Sequence, residues 1–205
     1  MATIHFVRHA ESRHNVEPEG DRIPDPHLTP TGENQAKALS SKFTNNAQIQ
    51  AIISSPMRRT IQTTLLGFGP AIKDDTRIVL HSDLQECSSK PSDSGSPVSE
   101  LVAEFGTMLN TKLLSEYWYS EGASESYGAR DQKKVAERAR RARLYIRNVA
   151  KALSEQDHII VVTHSGFLRH LIHGAPKFKN AEIRACQFVD VQGVDDQAVI
   201  VEILH

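Results

Sequence analysis

Four side chains of this 205-residue chain carry the charge and ring chemistry from which a reactive site could be built: Arg8, His9, Arg58 and His164. Each lies at the end of an apolar run or in the turn after it. Ile4, Phe6 and Val7 precede Arg8-His9, IQAIISS at 49–55 leads through Pro56 to Arg58, and HIIVVTH at 158–164 ends on His164. Short apolar, β-branched runs of this kind read as buried strands. In an open α/β sheet, ligands bind beyond the C-terminal ends of the strands. If the four groups converge, two permanent cations and two titratable rings make a pocket suited to a phosphoryl dianion and to its spread charge in a transition state. Arginine offers a planar fork of donors that lysine lacks. Nearby positive charge also lowers a histidine's pKa and so keeps a ring nitrogen free to attack. Ser12 and Asn15 follow in the loop after the first strand, where Asn15 would add a neutral donor, and Ser165-Gly166 turns the chain out of the strand that carries His164.

The elements that must position these groups alternate between strand and helix. After a loop containing Pro18, Gly20, Pro24 and Pro26, LTPTGENQAKALSSKFTN reads as a helix capped by Thr29 or Thr31, with Ala36, Leu39 and Phe43 on its buried face. A helix carrying Arg58 and Arg59 follows the second strand. A third strand is expected within 77–86 at Ile78, Val79 and Leu80, delivering Asp83 and Glu86 beyond its end. Residues 88–99, SSKPSDSGSPVS, are loop by composition. The pattern predicts a helix from Glu100 to about Tyr119 and a long helix from about Gln132 to Ser154, whose Arg138, Arg140, Arg141, Arg143 and Arg147 read as a solvated face. ACQFVDVQ and AVIVEIL read as two closing strands in a hairpin around Gly193 and Asp195. Alternation of this kind argues for an α/β fold with a mostly parallel sheet covered on both faces.

Length and a 39% apolar content suit one domain with one substantial core. With 24 Lys and Arg against 25 Asp and Glu, the formal charge of −1 offers no global field for nucleic acid or an anionic membrane, so any anion site must be local. There is no apolar run of membrane-spanning length. Neither a signal-peptide pattern nor a disulfide-like use of Cys87 and Cys186 is visible. The expected setting is the cytoplasm, with nuclear entry open.

Four blocks, Arg8-His9-Ala10-Glu11-Ser12 with Asn15, DPHLTPTGENQA at 25–36, SSPMRRTIQTT at 54–64 and VVTHSGFLRHL at 161–171, resemble the histidine phosphatase superfamily, the phosphoglycerate mutase-like proteins. They occur in the family's order over nearly the whole chain. Residues 87–130 are where the likeness fades, and there the sequence looks like a divergent fungal-type member. The resemblance implies a three-layer α/β/α sandwich spanning 1–205, with an inserted, lid-like segment at about 88–130. It implies a metal-independent phosphomonoester hydrolase without cofactor, acting through a phosphohistidine. His9 is then the nucleophile, and Arg8, Arg58 and His164 hold the phosphoryl oxygens. Arg58 is preferred to Arg59 because the family's motif sets its arginine after Ser-Pro-x. Ser12, Asn15, Ser165 and Gly166 complete the expected substrate-binding set. Glu86, just past the third strand, is the implied general acid, with Asp83 and Asp93 as alternatives.

Glycolytic mutases continue after this Glu with Arg-His-Tyr-Gly and later carry an adjacent arginine pair, whereas here CSSKPSDSG follows Glu86. Hydrolysis of a small phosphorylated metabolite is therefore expected over mutase-type transfer. A phospho-ligand-binding module with little turnover is a third reading, disfavoured because all four site residues are present. A metal site built from His9, His164, His170 and His173 is disfavoured because Arg8 and Arg58 would repel the cation. The substrate itself is not defined by these motifs. No nucleic-acid or membrane partner is expected, and a homodimer is left open.

Overall fold

β1 (Thr3–Arg8) and β5 (His158–Thr163) lie side by side, and their register decides where the reactive groups stand. They pair in parallel from Thr3 opposite His158 to Arg8 opposite Thr163, so His9 and His164 leave adjacent strands at the same level. The computed structural model of the chain describes residues 1–43, 46–73, 76–120, 132–190 and 194–203. The remaining elements are α1 (Arg13–Val16), α2 (Pro30–Lys42), β2 (Ile49–Ser54), α3 (Arg58–Phe68), β3 (Ile78–Leu80), α4 (Val98–Phe105), β4 (Leu109–Asn110), α5 (Gln132–Lys151), α6 (Ser165–Leu171), β6 (Ile183–Phe188) and β7 (Ile200–Glu202). Among the described residues, the sheet has seven strands in the order β4-β3-β2-β5-β1-β6-β7. The five from β4 to β1 are parallel; β6 runs antiparallel to β1, and β7 antiparallel to β6.

Side chains alternate across a strand, so β5 feeds two cores at once. Ile159 and Val161 join Ile4 and Phe6 beneath α5 and α6, while Ile160 and Val162 join Val7 beneath α2 and α3. All four β5 residues are fully buried, each contributing about 1.5–3 kcal/mol of transfer free energy. The fold is therefore the expected α/β/α sandwich with a mostly parallel sheet.

Three local expectations change. The helix expected over 100–119 stops at Phe105, because Gly106 takes φ +74°, a conformation that side-chain-bearing residues rarely adopt. The chain then forms β4 at the sheet edge and a run of turns that buries Trp118, whose Nε1 donates to the Ser96 carbonyl at 2.9 Å. The arginines of α5 are not a solvated face. Arg138 is fully buried, Arg147 nearly so, and Arg141 pairs with Asp83 at 2.8 Å. Helical spacing mixes them with Val135, Ala139, Ala142 and Ile146 on the side that meets the sheet. Finally, β6 and β7 pair, but between Cys186–Phe188 and Ile200–Glu202; Gly193 lies outside the described residues. Of the lid-like segment, 121–130 also lie outside them.

Thr29 caps α2. Its Oγ1 accepts from Gly32 N at 2.9 Å and donates to Glu11 Oε1 at 2.6 Å, tying the helix to the loop after β1. Thr29→Ala should cost about 0.5–2 kcal/mol, the usual value of an N-cap, and Thr29→Ser much less. Urea unfolding midpoints check this; equal midpoints for all three proteins would show that the cap carries no stability.

Candidate active site

The site sits beyond the C-terminal ends of β1, β2 and β5. His9 N donates to Thr163 O at 3.0 Å and Ser55 N to Val162 O at 2.9 Å, so the sheet ladder itself sets the turns from which the site grows. The rings of His9 and His164 lie 5.2 Å apart, centre to centre, and their residues are 2% and 0% exposed. His9 Nδ1 is 2.7 Å from the Ala10 carbonyl, which can only accept. Nδ1 therefore carries the proton, and Nε2 keeps its lone pair. His164 has the opposite tautomer: Nδ1 accepts from Arg59 Nη2 at 3.2 Å, leaving Nε2–H to donate to Ser55 Oγ at 2.9 Å. Both rings are held neutral. Burial pushes each pKa well below its ordinary value, and Arg59 pushes each further, joined by Arg8 at His9.

The arginine that reaches these rings is Arg59, not Arg58. Arg58 turns outward into carboxylates: Asp25 at 3.4 Å, Glu100 at 3.0 Å and Glu104 at 2.8 Å, with Ser96 Oγ also bonded to it. Arg59 is fully buried and spans Ser92 O at 2.7 Å, Asp93 Oδ1 at 2.8 Å and His164 Nδ1. Consecutive helical residues point about 100° apart, so only one of the pair can face the strand ends. The residues four positions on show which. Thr63 accepts from Ala10 N at 3.0 Å, beside His9, whereas Gln62 accepts from Leu28 N at 2.9 Å in the outer loop. That i, i+4 relation, Arg59 with Thr63, was the available sequence signal. Arg8 completes the positive charge. It lies close enough to act electrostatically on His9 and Arg59, and its Nη1 is anchored on Phe178 O at 3.0 Å.

Glu86 is brought to the same place. Its Oε1 accepts from Phe167 N and Cys87 N, both at 2.9 Å, and its Oε2 from Gly166 N at 3.0 Å. A Cβ on Gly166 would stand 2.4 Å from Oε1, so only glycine lets the start of α6 approach the carboxyl this closely. Burial raises the Glu86 pKa most and nearby Asp93 adds to it, against the lowering by the Gly166 and Cys87 N–H groups and Arg59. The other two carboxyls are engaged elsewhere: Asp83 with Arg141, and Asp93 with both Arg59 and Ser88 Oγ. Beside Glu86 lies a cavity of about 340 Å³ lined by His14, Asp21, Glu86, Lys90, Asp93 and Gly166 among others. Lys90 and Asp21 pair at 2.6 Å on its rim.

The rest of the expected set is placed less directly. Ser12 is buried, its hydroxyl donating to His27 O at 2.8 Å. Asn15 is exposed, and its Oδ1 accepts from Ser12 N at 3.0 Å and from Asn180 Nδ2 at 3.2 Å. Ser165 Oγ reaches toward Phe178 O at 3.4 Å. Sequence reasoning missed His14, whose ring lies 5.5 Å from that of His9 and whose pKa is pushed down to about 3, first by burial and then by Arg59 and Arg8. It also missed Ser55. His170 and His173 line a separate cavity with Arg143 and Arg169.

Two neutral imidazoles, two guanidiniums and a carboxyl of raised pKa at one end of the parallel strands are groups that can hold an oxyanion beside a free imidazole nitrogen. In agreement, residues 4–195 match the family model of the histidine phosphatase superfamily, branch 1. The chain belongs to that family. It is 34% identical over 106 residues to a probable phosphatase of Schizosaccharomyces pombe, covering 50% of this chain and 49% of that protein. It is 40% identical over 79 residues to a phosphoglycerate mutase-like protein of Arabidopsis thaliana, covering 33% of this chain and 28% of that one. The chain thus spans about half, or less, of these two relatives. A putative phosphoserine phosphatase of Hydrogenobacter thermophilus is 28% identical over 174 residues, covering 84% of this chain and 77% of that one. Among solved structures, the fold matches a phosphoserine phosphatase of Entamoeba histolytica (TM-score 0.58, 16% identity, 100% and 96% of the two chains). It also matches a mycobacterial glucosyl-3-phosphoglycerate phosphatase (TM-score 0.60, 16% identity, 100% and 98%).

The two arginines make opposite predictions. Losing a hydrogen bond to a charged group costs about 1.5–3 kcal/mol, so Arg59→Met should weaken vanadate binding roughly 10- to 100-fold. Arg58→Met, whose partners Asp25, Glu100 and Glu104 do not contact either ring, should change it less than about tenfold, because only its indirect support of α3 is lost. Calorimetric titration with vanadate checks both, and the reverse ranking would restore Arg58 to the site.

Proposed function

We propose that this chain is a metal-independent phosphomonoester hydrolase that works through a phosphohistidine on His9. The observation that carries the reading is the Nδ1–H bond of His9 to the Ala10 carbonyl, which leaves Nε2 unprotonated between Arg8, Arg59 and His164. In the first step Nε2 attacks phosphorus, the N–P bond forms and the P–O bond to the leaving group breaks. Glu86 gives its proton to the departing alkoxide. Of its oxygens, Oε1 already accepts two N–H groups, so the proton belongs on Oε2, which accepts one. In the second step water attacks phosphorus, the N–P bond breaks, and ionised Glu86 takes the water's proton. Arg8 and Arg59 supply the charge that a metal would otherwise contribute, stabilising the phosphoryl oxygens with donors already in place.

Hydrolysis is favoured over mutase-type transfer by the cavity beside Glu86. A mutase must also hold a bisphosphorylated intermediate, which calls for a further cation to meet the second phosphate. Among the described residues lining the cavity, the lysine or arginine cation is Lys90, and it is already paired with Asp21, so a second dianion would meet no lysine or arginine that is not already answered. The volume suits a small phosphorylated metabolite. The names of the S. pombe and Hydrogenobacter relatives support the same reading.

Alkaline rapid quench with labelled substrate, in the presence of a chelator, should trap acid-labile phosphate on His9. Undiminished labelling of His9→Ala would remove His9 from the reaction, and loss of turnover restored by added zinc would reject metal independence.

The pH dependence follows from the same groups. His9 must be unprotonated and its pKa is lowered, so the acid limb of kcat/KM should fall well below 6.5. Glu86 must be protonated and its pKa is raised, so activity should fall on the alkaline side as that carboxyl ionises above its ordinary range near 4.5. The expected profile is a bell with an acid limb below 6.5 and an alkaline limb that is abolished in Glu86→Gln. A profile rising through pH 8, or an alkaline limb unchanged in Glu86→Gln, would remove Glu86 as the acid.

A further inference from the structure

α5 carries an arginine that the reaction as described does not use. Arg138 is fully buried, and its guanidinium is spent on one short stretch of backbone: Nη1 donates to Gln85 O at 2.9 Å, and Nη2 to Glu86 O at 3.2 Å and Cys87 Sγ at 3.3 Å. Its other face lies 4.3 Å from the ring centre of Phe167. Phe167 is the residue whose N–H donates to Glu86 Oε1. One side chain therefore grips Glu86 twice, through its main chain and through the residue that holds its carboxyl.

We infer that Arg138 is a positioning residue for Glu86, fixing the carboxyl over the leaving-group side of the pocket by clamping residues 85–87 to the start of α6. The inference rests on Glu86 acting as the general acid. Three features separate this role from ordinary core filling. A guanidinium buried without a carboxylate bonded to it is costly, so a position needing only volume among Val135, Ala139 and Ala142 would favour an apolar residue. Its acceptors are the three consecutive residues centred on Glu86, where a rigid planar fork reaches two carbonyls from separate nitrogens in fixed directions and an ammonium offers a single rotatable nitrogen. The neighbouring acid of the same loop, Asp83, is bonded to Arg141 instead, leaving Arg138 to the Glu86 segment. Arg138 does not line the cavity, so its effect must pass through Glu86.

The test compares Arg138→Met, which keeps the apolar stem, with Glu86→Gln and the double variant on an alkyl phosphate and on p-nitrophenyl phosphate. A poor leaving group needs the proton in the transition state and a good one barely does. Arg138→Met should therefore lose on the order of 10²-fold in kcat on the alkyl substrate and only a few-fold on the aryl one. On the alkyl substrate the double variant should lie within about threefold of Glu86→Gln alone, because both changes remove the same contribution. Equal losses on the two substrates, or losses that multiply, would overturn the assignment.

Amide hydrogen exchange gives a readout that needs no turnover. In Arg138→Met, Gly166 and Phe167 should lose at least about tenfold more protection than Val161 and Val162 in β5; parallel loss would indicate general destabilisation instead. If Arg138→Met does not fold, Arg138→Lys is read by the same two ratios, with smaller effects of the same pattern expected. If the native chain hydrolyses no phosphomonoester, the proposed function fails, while the exchange experiment still decides whether Arg138 holds Glu86.

Discussion

Burying two imidazoles beside two guanidiniums is possible only if the positive charge is answered locally, and the Arg59–Asp93 pair at 2.8 Å is the answer on which the rest depends. A fully buried arginine without a carboxylate or a set of carbonyls would cost several kcal/mol. Arg59 has both, Asp93 Oδ1 and Ser92 O, yet still reaches His164. The segment that supplies them is short and rich in Ser and Pro, and would wander without support. Its support comes from Trp118, bonded to Ser96 O, and from Asp25, which accepts from Ser96 Oγ at 2.7 Å and from Arg58 N at 2.9 Å. Arg58 thus serves the site indirectly. By pairing with Asp25, Glu100 and Glu104 it fixes the outer face of α3, and Arg59 on the inner face has one direction left.

The sheet sets the scale for this chemistry. Parallel pairing brings the ends of β1, β2 and β5 to one edge, and the ladder continues one residue past the strands through His9 N and Ser55 N. A one-residue slip in β1 would turn every β1 side chain to the opposite face and carry His9 away from His164. What prevents the slip is apolar burial on both faces. Phe6 and Val7 belong to different cores, and neither can be exchanged for the other without opening both.

This also explains what could be read from the sequence. His9, His164 and Glu86 were legible because each follows a strand whose apolar run is local and unmistakable, and local pattern is what fixes a strand end. The choice between Arg58 and Arg59 was not, because it depends on the helical face of α3 and on Glu100 and Glu104, more than forty positions away. The spacing of Arg59 with Thr63 and of Arg58 with Gln62 held the information, but only for a reader who already knew which loop each face meets. Arg138 was hidden for a similar reason. A helix with five arginines over ten positions looks solvated until the acceptors are known, and its acceptors are backbone carbonyls, which no side-chain pattern announces. The expected helix over 100–119 failed because apolar spacing through Leu101, Phe105, Met108 and Leu109 is helical even though Gly106 interrupts the backbone.

The remaining question is how an anion gains from entering a site whose charges are already answered. Arg59 and Arg8 each keep a buried Nε without a partner among the described residues. Arg138 and Arg147 do too, so the orphaned donor alone signals nothing. The difference is the surroundings. Around Arg138 the remaining donors face carbonyls and an aromatic ring, whereas around Arg8 and Arg59 stand two imidazoles kept neutral first by burial and then by nearby positive charge. Neutral rings do not compete with a phosphoryl group for the arginines, and Asp93 engages only one nitrogen of Arg59. On the proposed reaction, the phosphoryl dianion therefore adds to an existing pair instead of having to break it. Asp93 then has two effects of opposite value: it weakens the field that attracts the substrate, and it raises the pKa of Glu86 so that a proton is present for the leaving group. The site gives up some binding of the ground state, which does not accelerate the chemical step, for an acid that acts in the transition state, which does.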